Sequence, residues 1–134
     1  MKYLIDTDWI IDHLNGLDRV RLRLEKLASE GLAISVLSLA EVYEGVLYSR
    51  NPQESENTLE EFLPGIITLG INEEICKIFG KERGRLRKKG QIIGDIDIFI
   101  ASTCLYYDLV LLTNNVSHFE RIVNLNIISL QEYG

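Results

Sequence analysis

At 134 residues, with 46% hydrophobic and 25% charged positions, the chain has the size and composition of one soluble globular domain spanning residues 1–134. No run approaches the roughly 20 apolar residues of a membrane helix, and Met1-Lys2-Tyr3 leads into a strand rather than a secretion signal, so a cytoplasmic protein with no membrane role is expected. The net charge of −6 argues against broad nucleic-acid affinity, and Cys76 and Cys104, isolated in helix-like segments without metal-ligand spacing, read as buried free thiols of a reducing compartment.

In chain order, residues 2–6 read as a buried strand, followed by a short helix from Trp9 to Leu14 that Asn15-Gly16 ends. Val20, Leu24 and Leu27 recur at helical spacing up to Gly31. Leu32 to Val36 is a second strand and Ser38 to Tyr48 a helix; Pro52 to Leu63 is another helix, starting after Asn51. Ile66 to Leu69 is a third strand, and Asn72 to Lys89 a long helix weakened by Gly80 and Gly84. A helix from Asp95 to Tyr107, a strand from Leu109 to Leu112, a short helix from Val116 to Ile122 and a strand from Asn126 to Ser129 complete the pattern. Nearly all-apolar strands alternating with helices predict an α/β fold, a parallel sheet covered on both faces. Ligand sites of such sheets lie outside the carboxyl ends of the strands.

Four acids fall at that edge. Asp6 closes the first strand, Glu41 lies in the helix after the second, and Asp95 and Asp97 open the helix that precedes the fourth. Each has a local use as well. Ser38 and Glu41 have capping-box spacing, Asp95 or Asp97 suits a helix start, and Asp6 or Asp8 can cap the Trp9 helix. Recurrence at one sheet edge is what local capping does not explain. Converging carboxylates call for a hard divalent cation such as Mg²⁺ or Mn²⁺. Charge is also uneven along the chain. Residues 1–70 carry 12 acids against 6 bases, and residues 71–134 carry 8 of each. Within Lys81 to Lys89 there are 6 bases and 1 acid, a strip able to hold a phosphate backbone or simply to form a solvated helix face.

Four blocks resemble the PIN-domain nucleases, most closely the VapC toxins of toxin–antitoxin pairs. They are Tyr3-Leu4-Ile5-Asp6-Thr7-Asp8, Ile34 to Glu41, Gly94-Asp95-Ile96-Asp97-Ile98-Phe99-Ile100-Ala101, and Leu111-Leu112-Thr113-Asn114-Asn115-Val116-Ser117-His118-Phe119. The resemblance spans the chain and implies a three-layer α/β/α sandwich with a central parallel sheet and metal-dependent endoribonuclease activity. By position it assigns Asp6, Glu41 and Asp97 as the three acidic ligand residues, with Asp95 as a secondary acid beside them. The family often has a fourth acid where this chain has Asn115, which offers a carbonyl oxygen but no charge. Asp8 stands where an Asn is usual. Thr113 and Asn115 are expected to position the phosphate or outer waters, and Arg85, Arg87 and Lys88 the RNA backbone.

The implied reaction is in-line attack by an activated water on specific structured RNA, a tRNA or ribosomal RNA, leaving 5′-phosphate and 3′-hydroxyl ends and stopping translation. The implied partner is a small VapB-like antitoxin, with the toxin a homodimer in the complex and DNA bound only through the antitoxin. A groove for it is expected from Trp9, Ile10 and Leu14 with Leu39, Val42, Tyr43, Val46 and Leu47, residues that suit the core equally well. Two rivals stay open: a PIN-fold binding module without catalysis, favoured by Asn115, and a haloacid-dehalogenase-like phosphatase, favoured by Leu4-Ile5-Asp6-Thr7-Asp8. A metal-free histidine pair would need His13 and His118 together, and nothing in the pattern brings them together.

Overall fold

A computed structural model describes residues 1–130; the last four positions of the expected domain lie outside it. The strands are β1 (Tyr3–Ile5), β2 (Leu32–Ser35), β3 (Ile67–Leu69), β4 (Val110–Leu112) and β5 (Ile127–Ile128). The helices are α1 (Thr7–Leu14), α2 (Asp18–Leu27), α3 (Val36–Leu47), α4 (Pro52–Phe62), α5 (Glu73–Lys88), α6 (Asp95–Tyr107) and α7 (Val116–Phe119), with a 3₁₀ turn at Ala28–Glu30. The strand order is β3-β2-β1-β4-β5 and all four pairings are parallel.

The strands read as unbroken apolar runs because both their faces are buried. Alternate residues feed different cores. Tyr3, Ile5, Leu32, Ile34 and Leu112 pack with Trp9, Val20, Val42 and Leu59 from α1 to α4. Leu4, Ala33 and Leu111 pack with Leu86, Ile98, Ala101 and Phe119 from α5 to α7. The result is the expected three-layer sandwich. Gly31 joins its first two strands at φ 95, where its carbonyl accepts from Lys2 and Tyr3 N–H and a Cβ would fall 2.7 Å from Met1 Cα.

Several expectations shift. Asp6 leaves the strand and caps α1, which begins two residues earlier than expected. Ser35, not Ser38, caps α3, accepting from Leu37 N–H at 3.1 Å. The capping box therefore does not form; Ser38 is buried within the helix, its hydroxyl unpartnered among the described residues. α7 stops at Phe119 rather than Ile122. Both cysteines are free, but only Cys104 is buried; Cys76 is exposed on α5. Among the described residues no helix is long and apolar enough to cross a membrane.

Candidate active site

Parallel strands deliver their carboxyl ends to one edge, and the acids gather there. Asp6 follows β1 and is 5% exposed. Its Oδ1 accepts from Thr7 N–H at 2.9 Å, and its Oδ2 from the Thr113 hydroxyl at 2.7 Å. Thr113 follows β4, the strand beside β1, so the sheet register itself brings the two together. The hydroxyl has one hydrogen, which goes to Asp6; its oxygen accepts from Asn115 N–H at 3.0 Å. Burial is the largest influence on Asp6 and the Asp8 charge the next. With a smaller push from Asp97 they raise its carboxyl to about 7, against the opposing bonds from Thr113 and Thr7.

Asp8 accepts from Trp9 N–H at 2.8 Å and Asn114 N–H at 2.9 Å. Burial still raises its carboxyl above the usual range. Glu41, exposed on α3, accepts from the Thr7 hydroxyl at 2.7 Å, which ties it to the start of α1. Asp97 lies in the first turn of α6, its Oδ2 3.3 Å from His118 Nδ1. The same ring nitrogen is 2.9 Å from Asn115 Nδ2. Facing a carboxylate and an amide, it donates to the first when protonated and accepts from the second when bare.

Asp95 is elsewhere. Residues two apart on a helix point about 200° apart around its axis. Asp97 therefore faces the cluster, and Asp95 forms an ion pair with Arg83, Nε to Oδ1 2.8 Å.

Among the described residues no group of three or more acidic, histidine or cysteine side chains is placed so that it could hold a metal ion. The donors nonetheless suit a hard cation: all are carboxylate oxygens, and among the described residues no Lys or Arg is bonded to Asp6, Asp8, Glu41 or Asp97. Among the described residues no cation offsets the charges that raise Asp6.

The family model of the PIN domain matches residues 3–125. The chain is 33% identical over 129 residues to ribonuclease VapC1 of Haemophilus influenzae, covering 93% of this chain and 95% of that one. It is 34% identical over 127 residues to ribonuclease VapC2 of Rickettsia felis, with the same coverage. The solved structure of VapBC2 from Rickettsia felis, bound to a DNA fragment from their promoter, is similar with a TM-score of 0.90 at 32% identity, over 96% of this chain and 98% of that chain. This chain belongs to the PIN-domain family, with the VapC ribonucleases.

The match removes the dehalogenase-like alternative. In this PIN domain Asp8, the acid/base of that reading, is held by two backbone N–H groups. The histidine pair is absent too: His13 packs at a tilt against Phe62, centroids 4.3 Å apart and planes at 40°, while His118 sits with Asp97. His118 is a site residue the sequence pattern missed. Its partner is 21 positions away, and the only local signal is its i,i+3 spacing from Asn115. Asn114 was missed as well. Its Oδ1 accepts from Trp9 Nε1, Ser129 Oγ and Leu130 N–H, which pins the loop after β4.

The basic strip divides by helical face. Arg85 is engaged, bonding Glu82 at 2.7 Å and the Arg121 carbonyl at 2.9 Å, so it is not available to RNA as expected. Arg87 and Lys88 are exposed, with no partner among the described residues. The expected groove changes too. Trp9 and Ile10 are fully buried in the core, while the expected Leu14, Val42 and Val46 do line a groove of about 360 Å³, together with Ile11 of α1 and Ser55 and Thr58 of α4.

Proposed function

We propose that this PIN domain, acting as a single domain over residues 1–134, is an Mg²⁺- or Mn²⁺-dependent endoribonuclease. In this reading it is the toxin of a toxin–antitoxin pair, cutting specific structured RNA, a tRNA or ribosomal RNA, and so inhibiting translation. The observation that carries the proposal is Asp6. It is a buried carboxyl raised to about 7 by burial and by neighbouring acids, with no cation bonded to it among the described residues. Such a group favours a bound cation or a bound proton, and hard oxygen donors favour Mg²⁺ or Mn²⁺. The VapC ribonuclease relatives support the substrate class.

Asp6 and Asp97 are the direct ligands in this reading, and Glu41 is a third ligand or orients the attacking water. A bound divalent ion would supply charge neutralisation for the phosphodiester and a more acidic water. The protein holds the donors. Thr113 fixes one oxygen of Asp6, Thr7 restrains Glu41, and His118 restrains Asp97. Asn115 N–H holds the Thr113 oxygen, which keeps the loop against the strand end. In-line attack leaves 5′-phosphate and 3′-hydroxyl ends.

The VapBC neighbours support a VapB-like antitoxin as partner; in this reading the toxin is a homodimer in the complex and DNA is contacted only through the antitoxin. The groove of α1, α3 and α4 is the place for its apolar segment. An antitoxin cation beside Asp6 and Asp97 would inhibit by occupying the same negative site.

The test is cleavage of total cellular RNA by purified protein, in Mg²⁺ or Mn²⁺ against chelator, with Asp97→Asn as control. Discrete metal-dependent fragments that vanish in Asp97→Asn are expected. Folded, antitoxin-free protein that cuts nothing in either metal would move the reading to a non-catalytic module, with Asn115 as the first residue to restore to Asp.

A further inference from the structure

A cavity of about 570 Å³ lies between the end of α5, the 89–94 loop and the first turn of α6. Leu86, Ile93 and Ile98, nearly fully buried, form its apolar floor and the exposed Ile92 its apolar rim, and Arg83, Arg87 and Asp95 also line it. Its shape is built in. Gly90, at φ 70, donates its N–H to the Arg87 carbonyl at 3.0 Å, and Gln91 N–H donates to the Leu86 carbonyl at 2.9 Å. These paired bonds are a Schellman turn, which ends α5 and aims the chain along the cavity. Arg121 Nη1 then holds the Ile92 carbonyl at 3.3 Å.

The charges are not equivalent. Arg83 and Asp95 satisfy each other. The Arg87 side chain has no hydrogen-bond or ion-pair partner among the described residues, and neither do the side chains of Lys88 and Lys89 after it. A chain of net charge −6 therefore places unpaired cations beside an apolar hollow large enough for a small ligand. A ligand that suits both is flat and apolar on one side and anionic on the other, which describes a nucleotide.

The cavity and the acid cluster lie on different faces of the same first turn of α6: Asp95 lines the one and Asp97 belongs to the other. Arg121, which braces the cavity loop, follows His118 by three residues. An RNA strand with one phosphate at the acid cluster would cross the start of α6 to place a neighbouring nucleotide in the hollow.

We propose that this cavity is a subsite for a nucleotide next to the cut, with an unpaired base against Ile92 above the Leu86, Ile93 and Ile98 floor and its phosphate on Arg87. The proposal rests on the ribonuclease reading and adds to it the place where a flanking base is recognised. Arg87, not Arg85, is then the strip's contact with RNA.

The experiment is anisotropy of a short fluorescent single-stranded RNA, in chelator so that nothing is cut, over a range of salt concentrations. Wild type is compared with Arg87→Gln and Gly94→Leu. Gly94 has φ −58, and a Cβ there meets nothing within 4 Å, so the leucine enters the cavity without backbone strain. Arg87 is exposed, so its replacement leaves the fold intact. Arg87→Gln should weaken binding and reduce the slope of log affinity against log salt by about 0.7, one single-strand phosphate contact. Gly94→Leu should weaken binding several-fold at unchanged slope. Both variants binding like a wild type that still cleaves RNA would overturn the subsite and leave the ribonuclease standing. A wild type that neither binds nor cleaves RNA would sink both. Loss of antitoxin binding by Gly94→Leu, with RNA binding intact, would assign the cavity to a protein partner and overturn the proposal.

Discussion

His118 Nδ1 lies 3.3 Å from Asp97 Oδ2 and 2.9 Å from Asn115 Nδ2, so one ring nitrogen joins the first turn of α6 to α7. Position 115 is where a fourth acid is common in the family; here an amide and an imidazole stand in that corner. The pair adds no fixed negative charge and restrains Asp97 instead. Partners that orient a metal-binding carboxylate typically affect metal affinity tenfold to a hundredfold. His118→Ala should therefore raise the Mn²⁺ concentration needed for half-maximal cleavage by about tenfold or more, on that precedent. The ring is partly exposed, so the unfolding midpoint should hardly move. His118→Gln should recover part of the loss. Unchanged Mn²⁺ dependence in His118→Ala would remove the residue from the site.

Asp6 links the site to stability. Its folded pKa, about 7, exceeds the ordinary value of 3.8 because burial and Asp8 disfavour the charge. Between those two values the folded chain keeps a proton that the unfolded chain has lost. Metal-free protein should thus lose stability as pH rises from 4 toward 7, by about 1.4 kcal/mol per pH unit for this one group. Urea unfolding in chelator at pH 5 and pH 7.5 measures it. Asp6→Asn should flatten the slope and abolish cleavage, and adding Mn²⁺ to wild type at pH 7.5 should restore stability by binding the folded state. A wild-type profile as flat as that of Asp6→Asn would contradict the raised carboxyl.

The sheet and its Asp6–Thr113 edge were legible in the sequence for one reason. Parallel strands buried on both faces are apolar without a break, so each polar residue at a strand end stands out, as Asp6 and Thr113 do. What was not legible depends on rotation and on distant pairing. Asp95 and Asp97 look equivalent as letters, yet helical geometry turns one to Arg83 and the other to His118. Arg85 and Arg87 separate in the same way. Ser38 fits a capping box three residues before Glu41, but β2 runs straight into α3 and Ser35 takes the cap first. The Trp9 face suited a groove or the core, and only its partners, including Val20, Val42 and Leu59, decided for the core.

Thr113 couples β4 to β1 through one hydrogen. Thr113→Val keeps the shape and removes the 2.7 Å bond to Asp6, while leaving Asn115 N–H without its acceptor. Hydrogen bonds to charged groups contribute roughly 1.5–3 kcal/mol, so above pH 7 the variant should unfold more easily by about 2 kcal/mol. Because the Thr113 bond lowers the Asp6 pKa, its loss should also move the acid limb of the cleavage–pH profile upward. Thr113→Ser, which keeps the hydroxyl, should restore both. If the valine variant cuts RNA with an unshifted profile, Thr113 does not tune Asp6.

Asn114 is the structural counterpart on the same loop. Its Oδ1 accepts from Trp9 Nε1 at 3.2 Å and Leu130 N–H at 2.9 Å, and its own N–H donates to Asp8. Trp9 is fully buried, and Leu130 nearly so. Asn114→Ala would strand an indole N–H and a backbone N–H away from water. Each unpaired group costs about 1–3 kcal/mol, so a total destabilisation of about 3 kcal/mol is expected in urea unfolding. Trp9 is the only tryptophan in the chain, so its fluorescence reports the change directly. Asn114→Ser, too short to reach both donors, should fall between wild type and alanine. A loss below about 0.5 kcal/mol, the range of ordinary surface substitutions, would mean that the loop after β4 is held by other contacts.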